Sequence, residues 1–383
     1  MGILLTLKLG DINMNPNYIK AAIRSMEKRP FRVSHGGLNP TGAGVTRTNH
    51  WGEEEYIGKC HRQNWYSKTG TPRTNPPDDR SFMIFETGHA MENALTDHFK
   101  RQGLLIDSNV KIKQDITELS GFGGDVPVMI SGEVDQILRK AELDDDGNVL
   151  SVSRTEAVIV DSKTIRGYGA REAMGNKEFR NGKPKHGYVM QMAVYLAIRK
   201  PFEDYYGVSI DHAELHYMAV DSGLTKVFKI RLEDGYSGRV IVTDLDDNAI
   251  VSDQVFCMEK EASTGEPYAS VGDFTVEDII RNYVEMQLEL EQEEPPARTY
   301  TLRHSPEVLE QMWARGQIAK TNWPKINRDP LAGAHQVNGS GNWECAYCDF
   351  RDECYPFGTL TEAVESETMT AEEAMQALGF ESS

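Results

Sequence analysis

Val158-Ile159-Val160-Asp161-Ser162-Lys163 is an apolar run that ends in two charged residues one position apart, and it reads as a buried strand. Side chains of a strand alternate, so Asp161 and Lys163 point to one side and Val160 and Ser162 to the other. On that side a carboxylate can hold a divalent cation against a phosphate oxygen. The ammonium beside it can orient a water or offset developing charge. Strands also end in solvated charges, so the pair alone does not name a chemistry. Three other stretches supply what it lacks.

Ser131-Gly132-Glu133-Val134-Asp135-Gln136-Ile137-Leu138 alternates in polarity as an earlier strand would, with Glu133 and Asp135 on one face and Val134 and Gln136 on the other. A hairpin with Asp144-Asp145-Asp146-Gly147-Asn148 near its tip returns the chain towards Asp161, since Asp-Gly favours a tight turn. Phe82 to Phe99 is expected to be a helix in which Phe85, Glu92 and Phe99 recur along one stripe, with His89 and Leu95 nearby. A carboxylate on an apolar stripe needs a partner, because burial without one is costly. Glu92 therefore either meets a cation shared with Asp135 and Asp161 or sits solvated at the stripe's edge. On a helix from Gly187 to Arg199, Gln191 and Tyr195 are four apart and share a face.

In order, Gly88-x-x-x-Glu92, Gly132-x-x-Asp135, Asp161-x-Lys163 and Gln191-x-x-x-Tyr195 resemble the successive motifs of the PD-(D/E)XK nuclease superfamily in its RecB and lambda-exonuclease branch. The resemblance implies an α/β fold, with a restriction-endonuclease-like mixed sheet flanked by helices and elaborated by helical additions. It makes Glu92, Asp135 and Asp161 ligands for Mg2+ or Mn2+, with the backbone carbonyl of Ser162 joining them. Lys163 becomes the catalytic lysine, and Gln191 and Tyr195 complete the catalytic set. His89 and Glu133 are reserve ligands. Two departures stand out: no proline precedes Asp135, and the iron-sulfur members usually carry a histidine near the position of Glu92.

At 383 residues, with 39% hydrophobic and 26% charged residues, the chain has the composition of a soluble globular protein able to bury a substantial core. No apolar run reaches the roughly 18 residues of a membrane span. Met1 to Lys8 lacks the apolar region and cleavage site of a signal peptide, so a cytoplasmic location and no membrane partner are expected. The net charge of −18 opposes nucleic-acid binding in bulk. Locally, Lys163, Arg166, Arg171, Lys177, Arg180, Lys183 and Lys185 face only Glu172 and Glu178 between residues 163 and 185, a net of +5. The interspersed glycines suggest flexible turns that close on a DNA strand, single-stranded or frayed at its end.

Residues 1–80 are expected to form an N-terminal helical and loop segment, 81–260 the nuclease core, 261–357 a C-terminal helical region and 358–383 an acidic tail. Helices are expected from Asn17, over Val276 to Glu294, over Pro306 to Lys320 and over Thr370 to Leu378. Strands are expected over Ala213 to Val220 and Thr225 to Leu232, and Gly36 to Asn49 reads as a connector.

The sequence has five cysteines. Cys345-x-x-Cys348-x-x-x-x-x-Cys354 has metal-like spacing and lacks a fourth ligand. Gly58-Lys59-Cys60-His61-Arg62-x-x-Trp65-Tyr66 resembles the first-cysteine segment of iron-sulfur nucleases of the RecB branch, including the AddB type. That resemblance implies one [4Fe-4S] cluster on Cys60, Cys345, Cys348 and Cys354, joining the N- and C-terminal segments; the spacing also admits Zn2+. Cys257 is expected to be a buried small apolar residue. The function implied is a metal-dependent deoxyribonuclease, an exonuclease of recombination, repair or genome processing, with a recombination or replication protein as a possible partner. The alternatives are a catalytically inactive DNA-end-binding module with a structural cluster, and a zinc-stapled protein-interaction domain.

Overall fold

Alternation of apolar and polar residues builds one long sheet, as seen in a computed structural model of the chain. It describes residues 37–48, 54–117, 127–144, 146–175, 182–233, 238–250, 274–329, 331–356, 370 and 372. Ahead of the sheet, β1 (Gly44–Thr48) and β2 (Glu54–Gly58) form a separate antiparallel ribbon, followed by α1 (His61–Thr69) and α2 (Asp79–Arg101). The Asp78 carboxylate accepts from the Ser81 amide and so caps α2.

The sheet contains β3 (Leu105–Asp115), β4 (Met129–Leu143), β5 (Val149–Ile165), β6 (Ser209–Ala219), β7 (Thr225–Leu232) and β8 (Val240–Thr243), which lie side by side in chain order. Neighbours are antiparallel except β5 and β6, which run parallel. A parallel neighbour requires a crossover. Here it is made by α3 (Gly167–Met174), α4 (His186–Ala197) and α5 (Lys200–Tyr206). At the tip between β4 and β5, Asp144 Oδ1 accepts from the amides of Asp146 and Asn148, and Gly147 takes φ +80°, which a β-carbon would disfavour.

The chain is thus a mixed α/β structure, with a mostly antiparallel six-stranded sheet flanked by helices. On one face, Ile137 and Ile159 pack in the main core with Met190 and Val194 of α4 and with Ile279 and Tyr283 of α6 (Val276–Leu290). Thr275 and Asp278 cap α6 reciprocally. On the other face, Leu138, Val158 and Val160 form a smaller cluster with Phe99 of α2 and Leu105. Four short helices follow, α7 (Pro306–Ala314), α8 (Trp323–Arg328), α9 (Trp343–Ala346) and α10 (Arg351–Cys354).

Several expectations are corrected. The connector from Gly36 to Asn49 contains a strand, because Ala43 and Val45 are buried in the main core and β1 pairs with β2. The helix beginning at Pro306 stops at Ala314, and the one beginning at Val276 ends at Leu290. Phe85 does not lie under the α2 stripe: it is 51% exposed, and α2 has no buried residue. The helix expected from Asn17, most of the tail helix, Cys257, Lys177 and Arg180 lie outside the described residues.

Candidate active site and thiol pocket

Registered pairing of β4 with β5 runs to Gln136 opposite Val160 and stops there. Beyond that point β4 continues beside β3, and β5 continues beside β6 as far as Ile165. The two strands therefore part where Asp135 and Asp161 stand, one residue past the last pair. In place of a ladder carbonyl, Asp135 Oδ2 accepts the Ser162 amide at 3.1 Å. Asp161 is fully buried, and its Oδ1 accepts from Gln191 Nε2 at 3.2 Å. Its Oδ2 has Lys163 Nζ at 2.6 Å yet lacks a well-directed hydrogen bond.

α4 braces this junction from the main-core face. Gln191 Nε2 also donates to Tyr195 Oη at 3.1 Å, and Tyr195 donates to the Glu133 carbonyl at 2.7 Å, so one helix holds both strands. Residues out of step with the carboxylates face α2. Gln136 is buried; its amide donates to Thr96 Oγ1 at 2.9 Å, and its carbonyl accepts from Ser162 Oγ at 3.2 Å. The motif glycines serve close approach rather than chemistry. A β-carbon on Gly88 would lie 3.2 Å from Thr164 Oγ1, and one on Gly132 would lie 2.8 Å from Pro40 Cδ.

Electrostatics tie Glu92 to the same place. Burial raises its carboxyl above the ordinary range; His89 and Lys163 oppose the rise, and Asp161 and Glu133 add to it. Asp135 is pushed up to about 8 by burial first and then by the negative charge of Asp161, with Lys163 offsetting only part. Burial would lower Lys163, but Asp161 and Asp135 outweigh it and hold the ammonium above its usual value. His89 and Glu133, the reserve ligands, are both exposed. Among the described residues no group of three His, Cys, Asp or Glu has metal-holding geometry as it stands. The donor chemistry nonetheless fits a hard divalent cation: Asp161, Asp135 and Glu92 share one ammonium, Lys163, whose Nζ lies 2.6 Å from Asp161 Oδ2, and burial and like charge raise Asp135.

Around this junction the basic residues are arranged differently from the expected loop, because α3 orders the first part of the segment. Arg166 and Arg171 are exposed, with the Arg171 guanidinium 5.8 Å from the Tyr168 ring centre. Lys183 is paired with Glu172 at 3.3 Å. Lys163 Nζ and Lys185 Nζ lie 5.0 and 5.8 Å from the Tyr188 ring centre.

Cys60, Cys345, Cys348 and Cys354 line one concavity with Arg62, Tyr66, Arg298 and Tyr355, and all four are free thiols. Burial pushes the Cys345 thiol far up, and Cys60, Cys354 and Cys348 push it further. Cys348 is pushed up to about 11 by burial, with the Phe350 amide opposing and Cys60 adding. Burial and neighbouring thiols raise Cys345 and Cys348, and four soft donors on one concavity fit a thiophilic metal centre. The loop after α1, which the sequence left without a role, holds the C-terminal thiols in place. Thr74 and Asn75 donate their amides to the Asp349 carbonyl, Asn75 Nδ2 donates to the Cys348 carbonyl, and Arg73 pairs with Asp349 at 3.1 Å.

A charged network on β6 escaped the sequence reading. Glu214 lies 3.2 Å from His212 Nε2 and 2.7 Å from His216 Nε2, and His212 Nδ1 lies 2.8 Å from Asp211. The signal was His-x-Glu-x-His at strand alternation; a strand starting at Ala213 leaves out His212.

No family model matches the chain, and no curated protein matches it. Among solved structures, the crystal structure of SSO0001 is 13% identical over 55% of this chain and 74% of that one, with a TM-score of 0.30. A likeness so slight carries no argument about fold or function.

Proposed function

We propose that the chain is a divalent-metal-dependent deoxyribonuclease of the PD-(D/E)XK type, built on a restriction-endonuclease-like core. Glu92, Asp135 and Asp161 would hold Mg2+ or Mn2+, with the Ser162 carbonyl alongside. The observation that supports this most is the junction itself. Asp135 and Asp161 stand where β4 and β5 part, and Lys163 Nζ lies 2.6 Å from Asp161. A bound divalent cation supplies polarisation of the scissile phosphate and a more acidic water. The chain's own residues supply position. Gln191 orients Asp161, and the Ser162 amide orients Asp135. Lys163 stays protonated beside them and presents positive charge to phosphate oxygens as negative charge grows there.

The exposed Arg166, Arg171 and Lys185 would contact a strand backbone without reading sequence, as exonuclease action at single-stranded or frayed ends would require. Cys60, Cys345, Cys348 and Cys354 would hold one [4Fe-4S] cluster, with Zn2+ as the other composition the four thiols admit. A cytoplasmic role in recombination, repair or genome processing belongs to the same reading.

The test is cleavage of end-labelled linear DNA with Mg2+ or Mn2+. Asp161→Ala and Lys163→Ala should each lower the rate by about a thousandfold or more, with circular dichroism unchanged. Undiminished cleavage by both variants rejects the nuclease reading. Rapid cutting of covalently closed circles rejects only the exonuclease label.

A further inference from the structure

Arg47 on β1 has a side chain only 14% exposed, and its nearest carboxylate, Glu55 Oε2, lies 3.5 Å from Nη2. Its Nε and Nη1 are buried with no hydrogen-bond partner. His186, the first residue of α4, keeps some exposed surface, but its Nε2 is likewise buried and unpartnered. Burial pushes the imidazole down to about 3, and the charges of Arg47 and then Lys183 push it the same way, so these cations are its neighbours. Three nitrogen atoms from two elements thus go unsatisfied where positive charge gathers, inside a chain of net charge −18. A buried donor without an acceptor costs about 1–3 kcal/mol. A guanidinium fork matches the paired oxygens of a tetrahedral oxyanion. A neutral imidazole can add a third donor through the Nε2–H tautomer.

We propose that Arg47 and His186 form a binding site for a phosphate group other than the scissile one, carried by the nucleic-acid strand. The anion chemistry stands on these residues alone; the strand as its source rests on the nuclease reading. The two sites share one helix: His186 opens α4, and Tyr188 farther along it has Lys163 Nζ 5.0 Å from its ring centre. A strand held at the carboxylate junction and passing the start of α4 would bring a second phosphate to Arg47 and His186.

The experiment uses the full chain in EDTA. Inorganic phosphate is titrated against chloride at matched ionic strength, and thermal unfolding is followed. Wild type should show a saturable rise in Tm that is absent in Arg47→Gln and weakened in His186→Phe. A fluorescent oligothymidylate should bind the Arg47→Gln protein roughly tenfold or more weakly, and phosphate should displace it from wild type. If phosphate stabilises wild type no more than chloride does, the site is overturned, even where Arg47→Gln fails to fold. Stabilisation without displacement of the oligonucleotide overturns the strand as the source. The Asp161→Ala/Lys163→Ala double variant should keep the phosphate shift. Loss of that shift in the double variant overturns a separate site, whereas a wild type that shifts with phosphate but never cleaves DNA rejects the nuclease reading alone.

Discussion

Asp135 and Glu214 are carboxylates on the same sheet, and their surroundings treat them in opposite ways. Burial would raise Glu214, yet His212 and His216 on either side hold it well below the carboxylate range. Burial raises Asp135 most, the charges of Asp161 and Glu92 add to it, and with Lys163 offsetting only part it is pushed up to about 8. One group is neutralised within the fold; the other is left short of positive charge. A fold keeps like charges together when something outside the chain completes them, so the difference separates a structural network from a binding site.

The comparison breaks most visibly at Asp135. Asp135→Asn should lower metal-dependent cleavage by about a thousandfold and at the same time stabilise the metal-free protein. The folded state retains a proton that the unfolded chain has lost between pH 3.8 and about 8, so metal-free stability falls as pH rises through that window. The asparagine removes the penalty. Urea unfolding at pH 8 in EDTA should show a gain on the order of 2 kcal/mol, below the full linkage value because an ionised site draws in water. A loss of stability would show that Asp135 is already compensated.

The thiol pocket sharpens the same contrast, since burial raises Cys345 and Cys348 and the neighbouring Cys60 and Cys354 raise both further. Cys345→Ser should remove most of the iron and acid-labile sulfide from anaerobically purified protein, and lower the unfolding midpoint by about 5 °C or more. Metal analysis and visible absorption check this. Stoichiometric zinc without sulfide replaces the cluster assignment and keeps the pocket.

The smallest effect is expected at the network already satisfied. Depression of Glu214 contributes stability above its ordinary 4.5 that is lost as pH falls. His212 is raised by Asp211 and Glu214 against the effect of burial, and contributes stability below 6.5 that is lost as pH rises through its raised value. Both are therefore in force between about 4.5 and 6.5. Glu214→Gln should cost about 2 kcal/mol at pH 6 and less at pH 9, by urea unfolding at the two values. Equal losses at both would mean that Glu214 acts by packing rather than by charge.

Much of this architecture is legible locally. Alternation from Ser131 to Leu138, the Asp-Gly tip and the run ending at Asp161 and Lys163 specify a hairpin, because strand period and turn chemistry are short-range properties. Apolar spacing and the Thr275 cap do the same for α6. What sequence could not give is where an element ends on the sheet. The spacing of Phe85, Glu92 and Phe99 is helical, but only the docked helix shows that Phe99 packs and Phe85 does not. Gln136 read as an ordinary polar residue on the face of Val134, and its bonds to Thr96 and Ser162 depend on a helix forty positions earlier. Arg47 and His186 are farther apart still in sequence, and no spacing rule joins them.

The parallel pairing of β5 with β6 orders the events of folding. β3, β4 and β5 join through local antiparallel contacts and need no distant partner. β6 pairs with β5 only after the crossover carrying α4 is complete, and closing a longer loop is slower. On that order the hairpin should confront Asp135 with Asp161 before Gln191 and Tyr195 arrive to clamp them. In that interval their repulsion acts on a bare ladder end, and divalent ions in the refolding buffer should quicken the slow step rather than the first.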